Sequence, residues 1–295
     1  MVTPLKKKEP KGRFQDIFFW SRRKRLSIFL YPRILVRLPL WALFQNAWGA
    51  RKSPAALSTA LGPVALSAYQ VTFGTAARVA IRNVFFGGLL AWALVRYDFP
   101  GKKWVDASID LPFSLPTSVA GLTLLSVYRE DGPLGLWLQT RGIQVIFGPL
   151  AVALARAFVS FPFTVRSVQP VLQEIEPELE EAALSLGARP WEVFRFVVWP
   201  TIRPALVTGG SLGFARAVGE FGSVIRVSSN LPLRDLVAPV LVFQSLEQYD
   251  TQGASLIGAI RLLLSLVRLV RINTLATSTG KRRVLSLLSP SLLHK

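Results

Sequence analysis

The sequence predicts an all-α, polytopic integral membrane protein of about six transmembrane helices. Three observations lead there. Apolar residues make up 51% of the 295 positions. They gather in long blocks, whereas the surface helices of a soluble domain each keep a polar face. The basic residues follow those blocks, crowding one set of connecting segments and sparing the other.

The expected spans are 26–48, 64–95, 113–128, 144–165, 202–227 and 254–272, set against the roughly 20 apolar residues that a bilayer requires. Residues 1–25 are a basic tail suited to anionic headgroups. In the first span Pro32, Arg33, Arg37 and Pro39 interrupt the apolar run. Prolines and charges are both costly at the bilayer centre, so this span is expected to be tilted, kinked or partly interfacial. Residues 49–62 form an external loop containing Ser, Pro and Gly. The second span places Arg78 and Arg82 on one face. After a short charged loop, the third span begins nearer Leu111 and holds Leu115-Pro116-Thr117-Ser118-Val119-Ala120-Gly121. Small residues there allow close helix approach, and freed backbone groups can line a cavity. The external loop 129–142 carries the turn signature Asp131-Gly132-Pro133.

Phe161-Pro162-Phe163 is expected to close the fourth span at the inner face. Glu174, Glu176, Glu178, Glu180 and Glu181 then cluster around Pro177. The fifth and sixth spans follow, and residues 273–295 form a second basic tail. One polytopic body, residues 26–272 with an inner loop at 166–200, accounts for the chain.

The formal net charge of +18 invites a nucleic-acid reading. Its distribution argues otherwise. With both ends inside, the inner side receives both tails together with Arg96, Lys102, Lys103, Arg166, Arg189 and Arg195. The outer side receives only Arg51, Lys52, Arg129, Arg141, Arg226 and Arg234. That is the positive-inside pattern, so the partner is the lipid bilayer and no nucleic acid is expected. The chain has no cysteine, and its one histidine, His294, stands beside the C-terminus. Thiolate and histidine metal sites and a Ser-His-Asp triad are thereby excluded, and no metal or other cofactor is expected. No GxxxxGK[ST] occurs, so energy from ATP would have to arrive through a partner. The basic start leads into an apolar block without a small-residue cleavage site, so a retained helix is expected.

The inner loop carries the most informative motif, Glu181-Ala182-Ala183, then Gly187, then Val197-Val198-Trp199-Pro200. Glu181 to Ala183 continue a helix, and Gly187 offers an inexpensive left-handed position. This spacing resembles the cytoplasmic loop of ABC importer permeases, in which EAA, three residues, Gly and nine residues precede Ile-x-Leu-Pro. Val197 and Trp199 stand here for the Ile and Leu. The likeness extends from about Val71 to Ile272. Further motifs in register are Leu94-Val95-Arg96-Tyr97-Asp98-Phe99-Pro100-Gly101, Arg216-Ala217-Val218-Gly219-Glu220-Phe221-Gly222-Ser223 and Leu246-Glu247-Gln248-Tyr249-Asp250. Together they resemble the sulfate/thiosulfate branch, T-subunit type, with the molybdate permeases as near relatives.

The resemblance implies the type I importer permease (MetI-like) fold and a transporter subunit that performs no covalent chemistry. It also implies an ATP-binding subunit, a second permease subunit of the W type and a soluble sulfate-binding protein as partners. Coupling to the ATPase would fall to Glu181, Ala182, Ala183, Gly187 and Pro200. Arg216, Gly219, Glu220, Gly222 and Ser223 are candidates for the path or gate. Arg216 is placed to pair with Glu220 at i, i+4, and a carboxylate that would repel a dianion is not expected to bind sulfate. Against direct sulfate contact, the favoured reading of Glu220 is half of a structural ion pair beside small-residue packing. Arg78, Arg82, Arg156, Arg261 and Arg268 lie within spans, either as an anion-attracting lining, as snorkelling side chains or as partners of carboxylates. Molybdate or tungstate transport and a non-transporting membrane anchor are the alternatives. The divergent first span and arginine-rich helices favour a chloroplast inner envelope over a bacterial plasma membrane.

Overall fold

The computed structural model describes residues 22–287, and their regular structure is helical. The basic tails expected at 1–25 and 273–295 fall largely outside the described side chains. In chain order the helices are α1 (Arg22–Ala50), α2 (Pro54–Leu61), α3 (Pro63–Arg96), α4 (Lys102–Ile109), α5 (Leu111–Ser114), α6 (Thr117–Tyr128) and α7 (Gly135–Gln139). There follow α8 (Pro149–Gln173), α9 (Pro177–Ser185), α10 (Pro190–Val193), α11 (Trp199–Gly219), α12 (Val224–Val227), α13 (Ala238–Glu247) and α14 (Thr251–Leu287). Each expected span is largely helical. Among the described residues, three stretches are long and apolar enough to cross a membrane: Pro54–Arg96, Pro149–Gln173 and Thr251–Ile272.

The centre is built from α3, α8 and α11, with α14 packed on α11 and α1 on α14. Lipid tails are as apolar as leucine, so burial from water does not drive these contacts; close packing does. The interfaces are accordingly rich in small residues. Ala60, Ala65, Ala76, Ala91, Ala151, Ala155 and Ala217 are fully buried. Gly209 and Gly213 of α11 lie against Thr164 and Ser160 of α8, where an added Cβ would come within 2.8 Å of Thr164 Cα and 3.3 Å of the Ser160 carbonyl oxygen.

Four expectations are corrected. The loop at 49–62 contains α2, begun by Pro54 at its first turn and by Ser53, whose hydroxyl accepts the Ala56 N–H at 3.4 Å. Pro162 does not end the fourth span: α8 starts later than expected, at Pro149, and runs through Pro162 and Pro170 to Gln173. On the turn before Pro162, Asn83 of α3 ties α8 in place, donating Nδ2 to the Ala157 carbonyl at 3.2 Å and to Ser160 Oγ at 2.9 Å. Beyond Pro162, buried Val165, Val168 and Leu172 keep the helix docked. The fifth span is not continuous to 227, because α11 stops at Gly219 and Glu220 is extended. Finally, α13 was not expected; its buried first turn is pinned where the Ala238 N–H donates to Thr72 Oγ1 at 2.8 Å.

Candidate functional site

The inner loop is two short helices joined by a tight elbow. Pro177 opens α9 with Glu178 and Glu180 in the first turn, where acidic groups suit the positive helix end. At its other end Gly187 adopts φ +88°. The Ala188 N–H donates to the Ala183 carbonyl at 3.1 Å and the Gly187 N–H to that of Leu184 at 2.9 Å, the paired bonds of a Schellman cap. A Cβ at Gly187 would touch nothing within 4 Å, so the demand there is for backbone conformation, not space. Pro190 opens α10, and the Glu192 carboxylate accepts the Arg189 N–H at 2.7 Å. A π-helical turn, Phe194–Val198, leads into α11, and Pro200, with no N–H to donate, sits in the first turn behind it.

Of the five candidate coupling residues, Glu181, Ala182 and Gly187 are exposed, while Ala183 and Pro200 are half-buried. The same surface bares Leu179, Leu184 and, at 90% exposure, Leu186. These apolar side chains form an exposed cluster on an otherwise polar loop.

The loop is fastened to the membrane helices at several points. Glu180 of α9 pairs with Arg96, the last residue of α3. Trp92 of α3 meets Phe194 edge-on with ring centroids 5.6 Å apart, and Phe194 stacks on Trp191 at 5.5 Å. On α8, Arg166 donates to Asp110 through Nε at 2.8 Å and Nη2 at 2.7 Å, and to Asp106 through Nη1 at 2.7 Å. The Gln169 amide and the Arg166 guanidinium hold the Asp106 carboxyl below the usual carboxylate range.

The second constellation lies at the far end of α11. That helix has 21 residues, about 30 Å at 1.5 Å each, so it separates the elbow from the break by roughly a bilayer core. Glu220 is 1% exposed. Its Oε1 accepts the Ser223 N–H at 2.9 Å and the Ser223 hydroxyl at 2.7 Å, and its Oε2 lies 2.6 Å from Arg216 Nη1. The carboxylate thus caps the turn that replaces the helix, and this local bond explains why α11 stops there. Arg261 of α14 donates Nη2 to the Val218 carbonyl at 3.2 Å, satisfying one acceptor of the helix end. Gly219 stands beside that guanidinium.

The third-span motif packs on the same turn. A Cβ on Gly121 would stand 2.8 Å from Ser223 Cα, and one on Gly222 would collide with Thr117 Oγ1. The structure therefore joins two motifs that lie apart in sequence. It leaves the coupling and path candidates in separate places, linked by α11.

The intramembrane arginines divide. Arg156 is fully buried, donating Nη1 to the Thr72 carbonyl at 2.6 Å and to Thr75 Oγ1, which ties α8 to α3. Arg268 lies over the Phe73 ring at 4.0 Å, and Arg78 and Arg82 are exposed on α3. The sequence reading missed Gly209 and Gly213, although their GxxxG spacing inside an apolar span is a visible signal. It also missed Asn83 and the Arg96–Glu180 pair, whose partners are too distant in sequence for spacing to reveal.

Residues 83–277 match the family described as binding-protein-dependent transport system inner membrane component. The chain belongs to that family. Relatives are alike over most of their length. The probable sulfate transport system permease protein cysT of Nephroselmis olivacea is 53% identical over 252 residues, which is 85% of this chain and 88% of that protein. The sulfate transport system permease protein CysT of Synechococcus elongatus is 49% identical over 261 residues, 88% and 94% of the two chains. Among solved structures, a chain of a bacterial alginate ABC transporter aligns with TM-score 0.69 at 16% identity, covering 87% of this chain and 94% of that one. The same kind of transporter in complex with an alginate-bound periplasmic protein aligns with TM-score 0.64 at 16% identity, covering 89% and 98%. At such identities the structures establish the fold, that of a type I ABC importer permease. A permease of this family is a membrane transporter subunit and not an enzyme; ATP hydrolysis resides in a separate subunit.

Proposed function

We propose that this permease forms half of the translocation path of an ATP-driven sulfate/thiosulfate importer and couples to its ATPase through the 166–200 loop. The observation that carries the reading is the elbow at Gly187, flanked by the exposed Ala182, Leu184 and Leu186, on the side that the charge bias places inward. The names of the relatives supply the substrate class. Desolvating a dianion in hydrocarbon costs far more than binding returns. Alternating access avoids that cost by moving helices around a hydrated anion. A soluble sulfate-binding protein would deliver the anion, a W-type permease would complete the path, and two ATP-binding subunits would close beneath. Glu181, Ala182, Ala183, Gly187 and Pro200 carry the mechanical load, and α11 conveys it to the turn at Gly219–Ser223. Glu220, neutralised by Arg216 and bonded to Ser223, acts there as a structural hinge for the path and not as a sulfate ligand. The membrane is a chloroplast inner envelope or a bacterial plasma membrane.

The test is labelled-sulfate uptake in a host that lacks its own T-type permease but keeps the ATPase, second permease and binding protein. Uptake restored by this chain and resistant to excess molybdate supports the reading. Inhibition by molybdate would assign the chain to the molybdate branch. Uptake independent of the ATPase subunit would remove it from the importers.

A further inference from the structure

The contacts at the inner end of α3 reach beyond the coupling surface itself. Arg96 and Glu180 are each 23% exposed, so their ion pair is largely withdrawn from solvent. Among the described residues it is the one ion pair between α9 and the membrane helices. The Arg96 guanidinium also lies 5.2 Å from the Trp92 ring, one turn back on α3. Trp92 in turn touches Phe194, which follows the elbow, whereas Glu180 precedes it. Both arms of the elbow therefore grip one helix end, through charge on one side and aromatic contact on the other.

α3 is no peripheral strut. It packs along α8 and α11, accepts hydrogen bonds from Arg156 at the Thr72 carbonyl and the Thr75 hydroxyl, and meets α13 through Thr72. A displacement of its inner end is thus shared with the rest of the core, because close-packed interiors shift as units.

We infer that the Arg96–Glu180 pair transmits the movement of the coupling helix into α3, making Arg96 a positioning residue of the transport cycle. The inference rests on the coupling role proposed for α9 and adds a second route beside α11. An ion pair suits this task because it resists separation while tolerating small rotations. A partly buried pair also penalises loss of one partner more than loss of both.

The experiment uses the complete importer reconstituted in vesicles, with Arg96→Gln, Glu180→Gln and the exchange Arg96→Glu with Glu180→Arg. Sulfate uptake and ATP hydrolysis are measured with and without loaded binding protein. Each single variant is expected to hydrolyse ATP at the unstimulated rate while uptake and stimulation fall by about tenfold or more, with substantial recovery in the exchange. Uptake by either single variant equal to that of the parent overturns the inference, as does an exchange no better than the singles. Should Arg96→Gln fail to assemble, Arg96→Lys decides: the inference requires that it assemble and transport. Gly187→Val serves as the reference for the underlying reading. Normal uptake by Gly187→Val defeats the coupling role itself, whereas its loss beside a normal Arg96→Gln defeats only the transmission through α3.

Discussion

Gly209 of α11 and Thr164 of α8 lie in backbone contact, close enough that a Cβ on the glycine would stand 2.8 Å from Thr164 Cα and 3.1 Å from the Phe163 carbonyl oxygen. Backbone cannot swing aside as a side-chain tip does, so a larger residue must part the two helices. Gly209→Leu is expected to destabilise the permease by about 1–3 kcal/mol or more. The readout is a lowered midpoint in thermal unfolding of the detergent-solubilised protein. Leu212→Val, at a position 48% exposed on the same helix, is the control and should leave the midpoint nearly unchanged.

The Glu220 carboxylate leaves its two neighbours different deficits when removed. Glu220→Gln keeps an acceptor for Ser223 but strands Arg216, which is 30% exposed along its side chain. Loss of one partner of a buried pair costs about 3–5 kcal/mol, and the partial exposure of Arg216 puts this case at the lower end. The double variant Arg216→Gln with Glu220→Gln should recover part of that loss, giving a positive coupling in a double-mutant cycle. Additive losses would show that the pair has no energetic link and that the carboxylate matters only as a cap for Ser223.

Much of the fold was legible because membrane helices announce themselves by apolar length, and each expected span is largely helical. The two misread spans fail for different reasons. Pro162 sits mid-helix because buried Val165, Val168 and Leu172 beyond it keep α8 in the core, contacts that no local rule shows. Glu220 ends α11 through a bond to Ser223 three residues on, which a span drawn from apolar length alone overlooks. α13 escaped notice because 10 residues are too few to span a bilayer and its apolar turn is buried by its own fold. In the candidate site, the left-handed Gly187 and the Arg216–Glu220 pair were readable, since both depend on neighbours within four residues. The meeting of Gly121 with Ser223 was not, because no spacing rule joins residues so far apart.

Leu186 offers a way to test docking apart from folding. It is 90% exposed in the isolated chain, so a polar substitute disturbs no packing there. Leu186→Asp is expected to leave thermal stability of the free permease unchanged. Association with the ATPase subunit should weaken by about tenfold or more, the cost of burying an unpaired carboxylate where an apolar side chain docks. Pull-down or light scattering of the purified subunits reads this directly. Unchanged association would place the ATPase elsewhere on the inner face.

Gly187 gives the most discriminating series, because its surroundings are empty and only its backbone is demanding. At φ +88° an L side chain is strained whatever its size, and a β-branched one most of all. The cost is about 1–3 kcal/mol for Val, less for Ala, and least for Asn, which visits this region with local hydrogen bonds. Nothing in the membrane body touches the position, so insertion and core stability should survive in all three variants. Sulfate uptake should instead fall in the order Gly, Asn, Ala, Val as the elbow is forced away from its Schellman geometry. A series ranked by side-chain volume alone, with Ala better than Asn, would mean that the docked partner fills the space around Gly187. The elbow's backbone angle would then not be what couples ATP to transport.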